Sequence, residues 1–398
     1  MVNRRSVIGA AVLGGGVIAI GGMATRQFIG GQGAASVRAT SGRSLLIPPL
    51  YSGERENGIR VFDLKLQRGV SQFLEGVQTP TIGINQSYLG PTLEMYAGET
   101  VRMNVSSDLS ETATVHWHGF HLPARADGGP HQPIAPGSTW SPSFVVKQRA
   151  SMFWYHSHAH RRSGPQVYQG LAGAIYVRDD ESERLDLPND YGVDDIPLIV
   201  QDRAFNRDGS FAYSTSMRDV MMGMMGDTLL VNGIVDPVFE ARSDLLRIRL
   251  LNGSNARFYR FGFDDGRPFM QIGSDGGLFE QPYRTNNVVL APGERAQIGM
   301  RDSGDRMGGS GGRREGMMDE RRRFTVLNIR PAAQRRQAIV MPSRLIALAP
   351  VEPETAIKTR RFMLQMGMGM NMMRGGGFTI NGKSMDMQRI DETVKVNT

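Results

Sequence analysis

The stretch Val101-Arg102-Met103-Asn104-Val105 alternates apolar and polar side chains. Successive side chains of a β-strand point to opposite faces, so this period of two places the apolar side chains together on one face. Further strand-like runs lie on both sides of it, at Ile59 to Leu66, Val145-Val146 and Ala174 to Val177. Gly-Pro, Gly-Glu and Asp-Gly turns separate these runs. Residues 58–180 are therefore predicted to form an all-β sandwich.

A second β block is predicted over residues 190–346. Leu229-Leu230-Val231 precedes the turn signal Asn232-Gly233, and Leu246, Ile248 and Leu250 alternate with arginines. Pro292-Gly293-Glu294 turns between two more strand-like runs. Residues 303–323 are mostly glycine, arginine and methionine, which predicts a disordered surface loop.

A third block, residues 355–398, begins with two predicted strands, Phe362 to Gln365 and Phe378 to Ile380, and a further one starts at Val394. A sandwich takes roughly 100 residues, so this block is expected to be incomplete. We expect residues 355–398 to be poorly ordered in purified protein because their apolar faces lack partner strands. Strong amide protection there in hydrogen exchange would contradict this.

The N-terminus carries Arg4-Arg5 ahead of a weakly apolar, glycine-rich run from Val7 to Ala24. This pattern predicts a twin-arginine export signal over residues 1–39 and a periplasmic protein. The alternative is an uncleaved membrane anchor, although repeated glycines make a poor spanning helix. No later segment reaches the roughly 18 apolar residues of a membrane span, so no stable membrane insertion is predicted after export. Residues 40–57, with Pro48-Pro49, are interpreted as a linker.

The net charge of +7 comes from 46 basic and 39 acidic residues that are spread along the chain. No nucleic-acid-binding motif accompanies this charge, so no nucleic-acid partner is predicted. The chain has no cysteine. This excludes disulfides, thiolate zinc sites, cysteine nucleophiles and a blue-copper site, which normally needs a thiolate.

All seven histidines lie between residues 116 and 160, and four of them form the pairs His116-Trp117-His118 and His156-Ser157-His158. In a strand, the side chains of residues i and i+2 point to the same face, and the two residues are about 6–7 Å apart along the backbone. This spacing is wide for one metal ion and suits two adjacent ions. Two such pairs on neighbouring strands would present four imidazoles, which suit copper, zinc, iron or nickel, to one pocket. His121, His131 and His160 are interpreted as surface groups or as groups that support the ligands.

His116-Trp117-His118-Gly119 and Trp154-Tyr155-His156-Ser157-His158 resemble the first two copper motifs of the multicopper oxidases. Asp127-Gly128-Gly129-Pro130, Pro136-Gly137 and Gly170-Leu171-Ala172-Gly173 extend the resemblance, which runs from about residue 58 to the end. The bacterial periplasmic copper-efflux oxidases are the most similar branch, and laccases and bilirubin oxidases are also similar.

The resemblance implies tandem cupredoxin-like (plastocyanin-like) sandwiches, two complete and the start of a third. It implies that His116 binds a type 2 copper, that His118 and His156 share one type 3 copper, and that His158 binds the other. Asp127 matches an acid that assists proton delivery during oxygen reduction. It is equally well explained as a plain turn residue before Gly128.

The sequence departs from the family because it has no histidine after His160 and no cysteine. It therefore lacks the type 1 copper site and half of the trinuclear ligands, and the chain alone is not expected to turn over. Three explanations compete. The sequence is a fragment, which the end inside a strand favours; a second chain supplies the missing half; or the site is vestigial, as in the related cell-division accessory proteins. Those proteins tend to lose the ligands, whereas both motifs are intact here.

Methionines form two groups, one from Met217 to Met225 and one in the third block. Thioethers suit Cu(I), but they also fill cores, and the interleaved glycines argue against a packed core. Copper-efflux oxidases carry a methionine-rich segment at the place of the second group. Cu(I) binding there is our hypothesis, with a loop of no function as the alternative. The residues concerned are Met363, Met366, Met368, Met370, Met372 and Met373.

The functional hypothesis is a multicopper oxidase that couples oxidation of Cu(I) or phenolic substrates to reduction of oxygen to water. One alternative is a periplasmic protein that binds or sequesters copper without turnover. The other is a metal-free relative of the division-accessory type. The partners implied are oxygen and a small-molecule or Cu(I) reductant.

Overall fold

The first part of the fold is a β-sandwich that carries both histidine pairs. The computed structural model describes residues 42–301, 306–312, 323–336, 339–366 and 378–394. One sheet has the strand order β1-β5-β11-β10-β7, and the other has the order β2-β3-β6-β8, with β4 beside β3 and β9 beside β6. The strands are β1 (Leu50–Tyr51), β2 (Glu54–Glu56), β3 (Ile59–Ser71), β4 (Thr79–Ile84), β5 (Thr92–Tyr96), β6 (Thr100–Ser107), β7 (His116–His118), β8 (Thr139–Trp140), β9 (Ser143–Val145), β10 (Ser151–His156) and β11 (Ala172–Arg178).

Strand β6 shows why this sequence folds as a sandwich. Val101, Met103 and Val105 are fully buried in the core between the two sheets, where they join Phe62 and Trp117. The polar residues between them lie on the other face, as the alternation predicts. Two short helices, α1 (Ser163–Gln169) and α2 (Asp180–Glu183), and a 3₁₀ turn (Ala124–Ala126) complete this part.

The second sandwich has sheets of order β13-β12-β15-β20-β17-β18 and β14-β22-β21-β16-β19. A helix, α3 (Met217–Met222), lies between its first two strands in the sequence. The strands are β12 (Asp195–Arg203), β13 (Thr228–Val231), β14 (Val238–Ser243), β15 (Leu245–Asn252), β16 (Phe258–Phe263), β17 (Phe269–Ser274), β18 (Gly277–Thr285), β19 (Asn287–Leu290), β20 (Arg295–Arg301), β21 (Arg306–Gly312) and β22 (Arg323–Arg336). The prediction of an all-β, cupredoxin-like fold is confirmed.

Strand β15 joins the two sandwiches because both of its faces are buried. Leu250 packs in the core of the second sandwich, whereas its neighbour Leu251 packs in a separate apolar cluster. That cluster also contains Met152, Trp154 and Tyr176 from the first sandwich. Burial on both faces explains the nearly continuous apolar run of this strand. The interface also brings loops of the second sandwich close to β10, which carries one of the histidine pairs.

The prediction of a disordered loop over residues 303–323 is wrong for residues 306–312 and for residue 323, where β22 begins. Residues Arg306–Gly312 form β21, which pairs with β16 on one side and β22 on the other. Glycine weakens a strand but leaves its backbone donors and acceptors intact, and two neighbouring strands satisfy them here. Residues 302–305 and 313–322 lie outside the described residues.

The interpretation of residues 40–57 as a linker is also corrected. Leu45 is buried in the core of the second sandwich, and its backbone N–H donates to Val238 O at 2.8 Å. The residues that follow Pro48-Pro49 form β1 and β2 of the first sandwich. The two prolines have no backbone N–H to donate, so strand pairing stops at them. The segment before them pairs with the second sandwich, and the segment after them pairs with the first. Residues 40 and 41 lie outside the described residues.

The third block contributes β23 (Leu364–Met366) and β24 (Phe378–Ile380), an antiparallel pair, after a 3₁₀ turn at Pro353–Thr355. Several of its apolar side chains are exposed, among them Phe362, Leu364, Phe378 and Ile390. The poor order expected for residues 355–398 stays a prediction. Residues 395–398 and the export signal predicted at residues 1–39 lie outside the described residues. Within the described ranges, no helix has the length and apolar character needed to cross a membrane.

Candidate metal centre

Two neighbouring strands position the histidines. β7 pairs antiparallel with β10, in a register that sets His116 opposite His156 and His118 opposite Trp154. His158 follows two residues after the end of β10, and its backbone N–H donates to Thr114 Oγ1 at 2.7 Å. The pairing therefore brings the two His-x-His motifs, which are about 40 residues apart in the sequence, to one edge of the first sandwich.

The four imidazoles converge. The ring centre of His116 lies 5.8 Å from that of His118, 5.5 Å from that of His156 and 5.3 Å from that of His158. His118 Nδ1 and His156 Nε2 are only 3.2 Å apart. One ring nitrogen from each of His116, His118 and His156 lies within 4.8 Å of the others.

Backbone carbonyls orient two of the rings. His116 Nδ1 lies 2.9 Å from Asp127 O, and His156 Nδ1 lies 2.9 Å from Ser157 O. A carbonyl can only accept, so each Nδ1 carries the proton and donates. The Nε2 atom of each ring then carries a lone pair rather than a proton, which is the form in which histidine binds a metal.

A buried glutamine supports the second histidine pair. Ser157 Oγ donates to Gln166 Oε1 at 2.5 Å, and Gln166 Nε2 donates to Thr112 O at 2.9 Å. Gln166 lies on α1, whereas Thr112 precedes the strand of His116. The segments on which both histidine pairs lie are thus connected through one side chain.

Asp127 lies on the Nδ1 side of the His116 ring. Its carboxylate Oδ2 is 3.4 Å from His116 Nδ1, and its side chain is 38% exposed. The next residue, Gly128, has φ of +75°, and a Cβ atom there would lie 1.7 Å from Val115 O. Only glycine fits this turn. Asp127 can therefore act both as a turn residue and as a carboxylate beside a candidate ligand.

Burial keeps two of the histidines neutral. It lowers the pKa of His118 to about 4, with further lowering by the charges of Arg295, His116 and His158. Burial also holds the pKa of His156 well below its usual value, partly offset by the bond to Ser157 O. The Trp154 indole stacks on His156, with ring centres 3.9 Å apart. A histidine nitrogen that carries a proton cannot bind a metal ion. Because these two rings are uncharged at neutral pH, each has one nitrogen without a proton that is available as a ligand.

The arrangement of donors fits a metal ion. Two nitrogens bound to one tetrahedral ion at about 2.0–2.1 Å lie roughly 3.3 Å apart. The 3.2 Å between His118 Nδ1 and His156 Nε2 is close to this value. A set of neutral imidazoles suits copper as well as zinc, iron or nickel.

The remaining sequence candidates lie apart from this cluster. His121, His131 and His160 are exposed, and His131 Nε2 lies 3.1 Å from Met387 O. Met363 is exposed, whereas the side chain of Met366 lies outside the described residues. Met368, Met370, Met372 and Met373 lie outside the described residues altogether.

Three supporting residues were missed by the sequence analysis. Arg295 lies more than 130 residues after the last histidine, and Gln166, although only eight residues after His158, carried no motif that marked it. Trp154 was quoted only as part of a motif, and its stacking on His156 depends on the strand register.

Comparison with known proteins identifies the family. The family model for multicopper oxidases matches residues 65–182. The multicopper oxidase mco of Staphylococcus aureus is 33% identical, over 86% of this chain and 69% of its own length. The cell division protein FtsP of Edwardsiella tarda is 36% identical, over 94% of this chain and 81% of its own length.

The chain belongs to the multicopper oxidase family. Among solved structures of this family, the laccase-like multicopper oxidase CueO of Ochrobactrum sp. superposes with a TM-score of 0.80 at 35% identity, covering 87% of this chain and 79% of that one. The McoA multicopper oxidase of Aquifex aeolicus gives 0.75 at 32% identity, covering 86% and 75%. The family predicted from the two histidine motifs is confirmed, and membership implies copper as the metal.

Proposed function

We propose that this member of the multicopper oxidase family binds copper through His116, His118, His156 and His158, as part of an oxygen-reducing centre. The observation that carries this proposal is the convergence of His118 Nδ1 and His156 Nε2 at 3.2 Å, with the Nε2 atom of His116 free beside them. The resemblance assigns His116 to a type 2 copper and the other three histidines to a type 3 pair. Bound copper supplies electron transfer and activation of oxygen.

The protein residues around the cluster have two tasks in this proposal. The carbonyl groups of Asp127 and Ser157 fix the proton on Nδ1 of their histidines and leave Nε2 to the metal. The Asp127 carboxylate, 3.4 Å from His116 Nδ1 and partly exposed, can take a proton from solvent and hold it beside the centre.

Complete oxidase turnover needs more than this chain provides. It has no cysteine for a type 1 site and no histidine beyond His160. We expect copper binding from the chain alone, without oxygen uptake in the presence of Cu(I) or a phenol. The substrate class of the complete oxidase is proposed to be Cu(I) or phenolic, and the exposed Met363 is consistent with a Cu(I)-binding segment at Met363 to Met373.

A metal-free role in cell division is the second candidate. The FtsP relative, at 36% identity, is as similar to this chain as the oxidases are. The intact histidine cluster favours the copper-binding candidate, because a vestigial site has no need of converging imidazoles, two of which are oriented by backbone carbonyls.

Copper loading of the full chain tests the proposal. We expect dialysis against Cu(II), followed by metal analysis, to leave at least one copper ion per chain. His118→Asn should lose copper, whereas the exposed control His160→Asn should retain it. Absence of copper from the wild-type protein would favour the metal-free role. Loading without oxygen uptake would support a copper-binding protein that needs further ligands for turnover.

Export is a separate part of the proposal. We propose a periplasmic location reached through the twin-arginine route, which the pair Arg4-Arg5 supports. Replacement of both by lysine should retain the protein in the cytoplasmic fraction, and unchanged export would contradict the proposed route.

A further inference from the structure

A turn of the second sandwich forms one wall of the histidine cluster. The turn at residues 291–295 consists of the connection between β19 and β20 and the first residue of β20, and Gly293 within it adopts φ of +84°. A Cβ atom at Gly293 would lie 3.4 Å from His118 Cε1 and 3.5 Å from Trp154 Cζ2. A side chain of a single carbon at this position would therefore be in van der Waals contact with a candidate ligand and with the indole that stacks on another one.

A single buried side chain ties this turn to the first sandwich. Arg295 donates from Nε to Met152 O at 3.2 Å, from Nη1 to Gly293 O at 3.1 Å and from Nη2 to Asp275 O at 3.0 Å. Its Nη1 also lies 2.6 Å from Asp275 Oδ1, and its side chain is only 5% exposed. Met152 lies on β10, four residues before His156.

We propose that Arg295 is a positioning residue of the copper centre, which holds the turn at residues 291–295 against His118 and Trp154 so that His118 Nδ1 faces His156 Nε2. The part of this proposal that concerns copper rests on the proposed function. The part that concerns the wall stands on the geometry of the protein alone.

The contacts of Arg295 require a guanidinium group. The planar guanidinium donates to carbonyls of one strand and two turns at once, whereas the ammonium of lysine is a single point of charge. Asp275 compensates the buried positive charge, as a buried ion needs. The Arg295 charge also contributes to the low pKa of His118, which agrees with its closeness to that ring.

The position of Trp154 depends on this wall. The indole Nε1 is buried and has no hydrogen-bond partner among the described residues, so packing alone holds the ring. A cavity of about 340 Å³ also borders the turn and is lined by His118, Asp275 and Arg295 among others. Release of the turn would therefore give both His118 and Trp154 room to move.

Arg295→Lys tests the proposal, with Arg249→Lys as the matched control. Arg249 forms another buried ion pair of the second sandwich, with Asp195. Loss of a group that orients a metal ligand weakens metal affinity about 10–100-fold. We expect a drop of this size for copper in a chelator competition with Arg295→Lys, and roughly unchanged affinity with Arg249→Lys. Equal affinities in the two variants would overturn the proposal.

A second readout needs no metal. In the apo protein, the indole N–H of Trp154 should exchange with solvent faster in Arg295→Lys than in Arg249→Lys, followed by NMR. Asp275→Asn is a milder variant for use should Arg295→Lys not fold, and a smaller effect in the same direction is expected. A wild-type protein that binds no copper would refute the proposed function. The exchange rate of the Trp154 indole N–H would still decide whether Arg295 positions the turn at residues 291–295.

Discussion

Gly128 shows how tightly a single residue constrains the cluster. Its positive φ and its approach to Val115 O leave no space for a side chain. We expect Gly128→Ala to destabilise the apo protein by about 2–4 kcal/mol, from backbone strain plus a steric clash. The same change should displace Asp127 O from His116 Nδ1.

Gly137→Ala is the control for this prediction. Gly137 also has a positive φ, of +72°, but a Cβ atom there would meet nothing within 4 Å. Only the strain of about 1 kcal/mol should remain. Urea unfolding measures the free energy of unfolding of both variants. Equal losses of stability would show that the short distance between position 128 and Val115 O makes no contribution.

The pH dependence of stability depends on the buried histidines. The pKa of His118 in the fold, about 4, lies below its ordinary value of 6.5, so the unfolded chain binds more protons between these values. The contribution of this group is fully present above pH 6.5 and is lost as the pH falls towards 4. The lowered pKa of His156 acts in the same direction.

We therefore expect the thermal midpoint of the apo protein to fall between about pH 7 and about pH 5. The fall should be smaller in His118→Asn than in the wild type, whereas the exposed His160→Asn should leave it unchanged. An identical fall in His118→Asn and the wild type would contradict the assignment to His118.

At the scale of elements, α1 stabilises the histidine edge through Gln166. Gln166→Leu leaves the buried Ser157 Oγ without the acceptor of its hydrogen bond, and an unsatisfied buried polar group costs about 1–3 kcal/mol. We expect a loss of thermal stability of that order and weaker copper binding. Gln169→Leu, on the same helix but half-exposed, is the control. Equal effects in both variants would contradict a specific role for Gln166.

The elements also show where periodicity was sufficient. β6 was predicted because one of its faces is buried and the other is not, which leaves an alternating pattern in the sequence. β21 consists largely of glycine and was missed, because the strands on its two sides, rather than its own side chains, decide its conformation.

The whole molecule depends on the interface between the two sandwiches. Leu250 and Leu251 are adjacent on β15 and fully buried, but the first lies in the core of the second sandwich and the other lies in the interface cluster. Replacement of either by alanine should cost about 2–5 kcal/mol.

The two variants should differ in which strands lose protection from amide hydrogen exchange. We expect Leu251→Ala to speed amide hydrogen exchange in β10 and β11 of the first sandwich, whereas Leu250→Ala should act mainly within the second. Similar exchange in β10 and β11 of both variants would show that the interface does not couple the sandwiches.

The sequence by itself determined the fold class and the family, and it marked four histidines as candidate ligands. Alternation of apolar residues is a local consequence of strand geometry, and two His-x-His motifs are local as well. Within a motif, the shared face could be predicted because side chains two residues apart lie on one side of a strand, whereas the pairing of β7 with β10 brings the two motifs together.

Only the tertiary structure decided what surrounds these histidines. The contacts of Arg295 with Met152, and of Gln166 with Ser157 and Thr112, join residues on different elements and leave no periodic trace in the sequence. The burial that lowers the pKa of His118 likewise arises only when the strands pair and the second sandwich packs against the first. Orientation and protonation of the candidate ligands are therefore properties of packing, whereas their identity is a property of the chain.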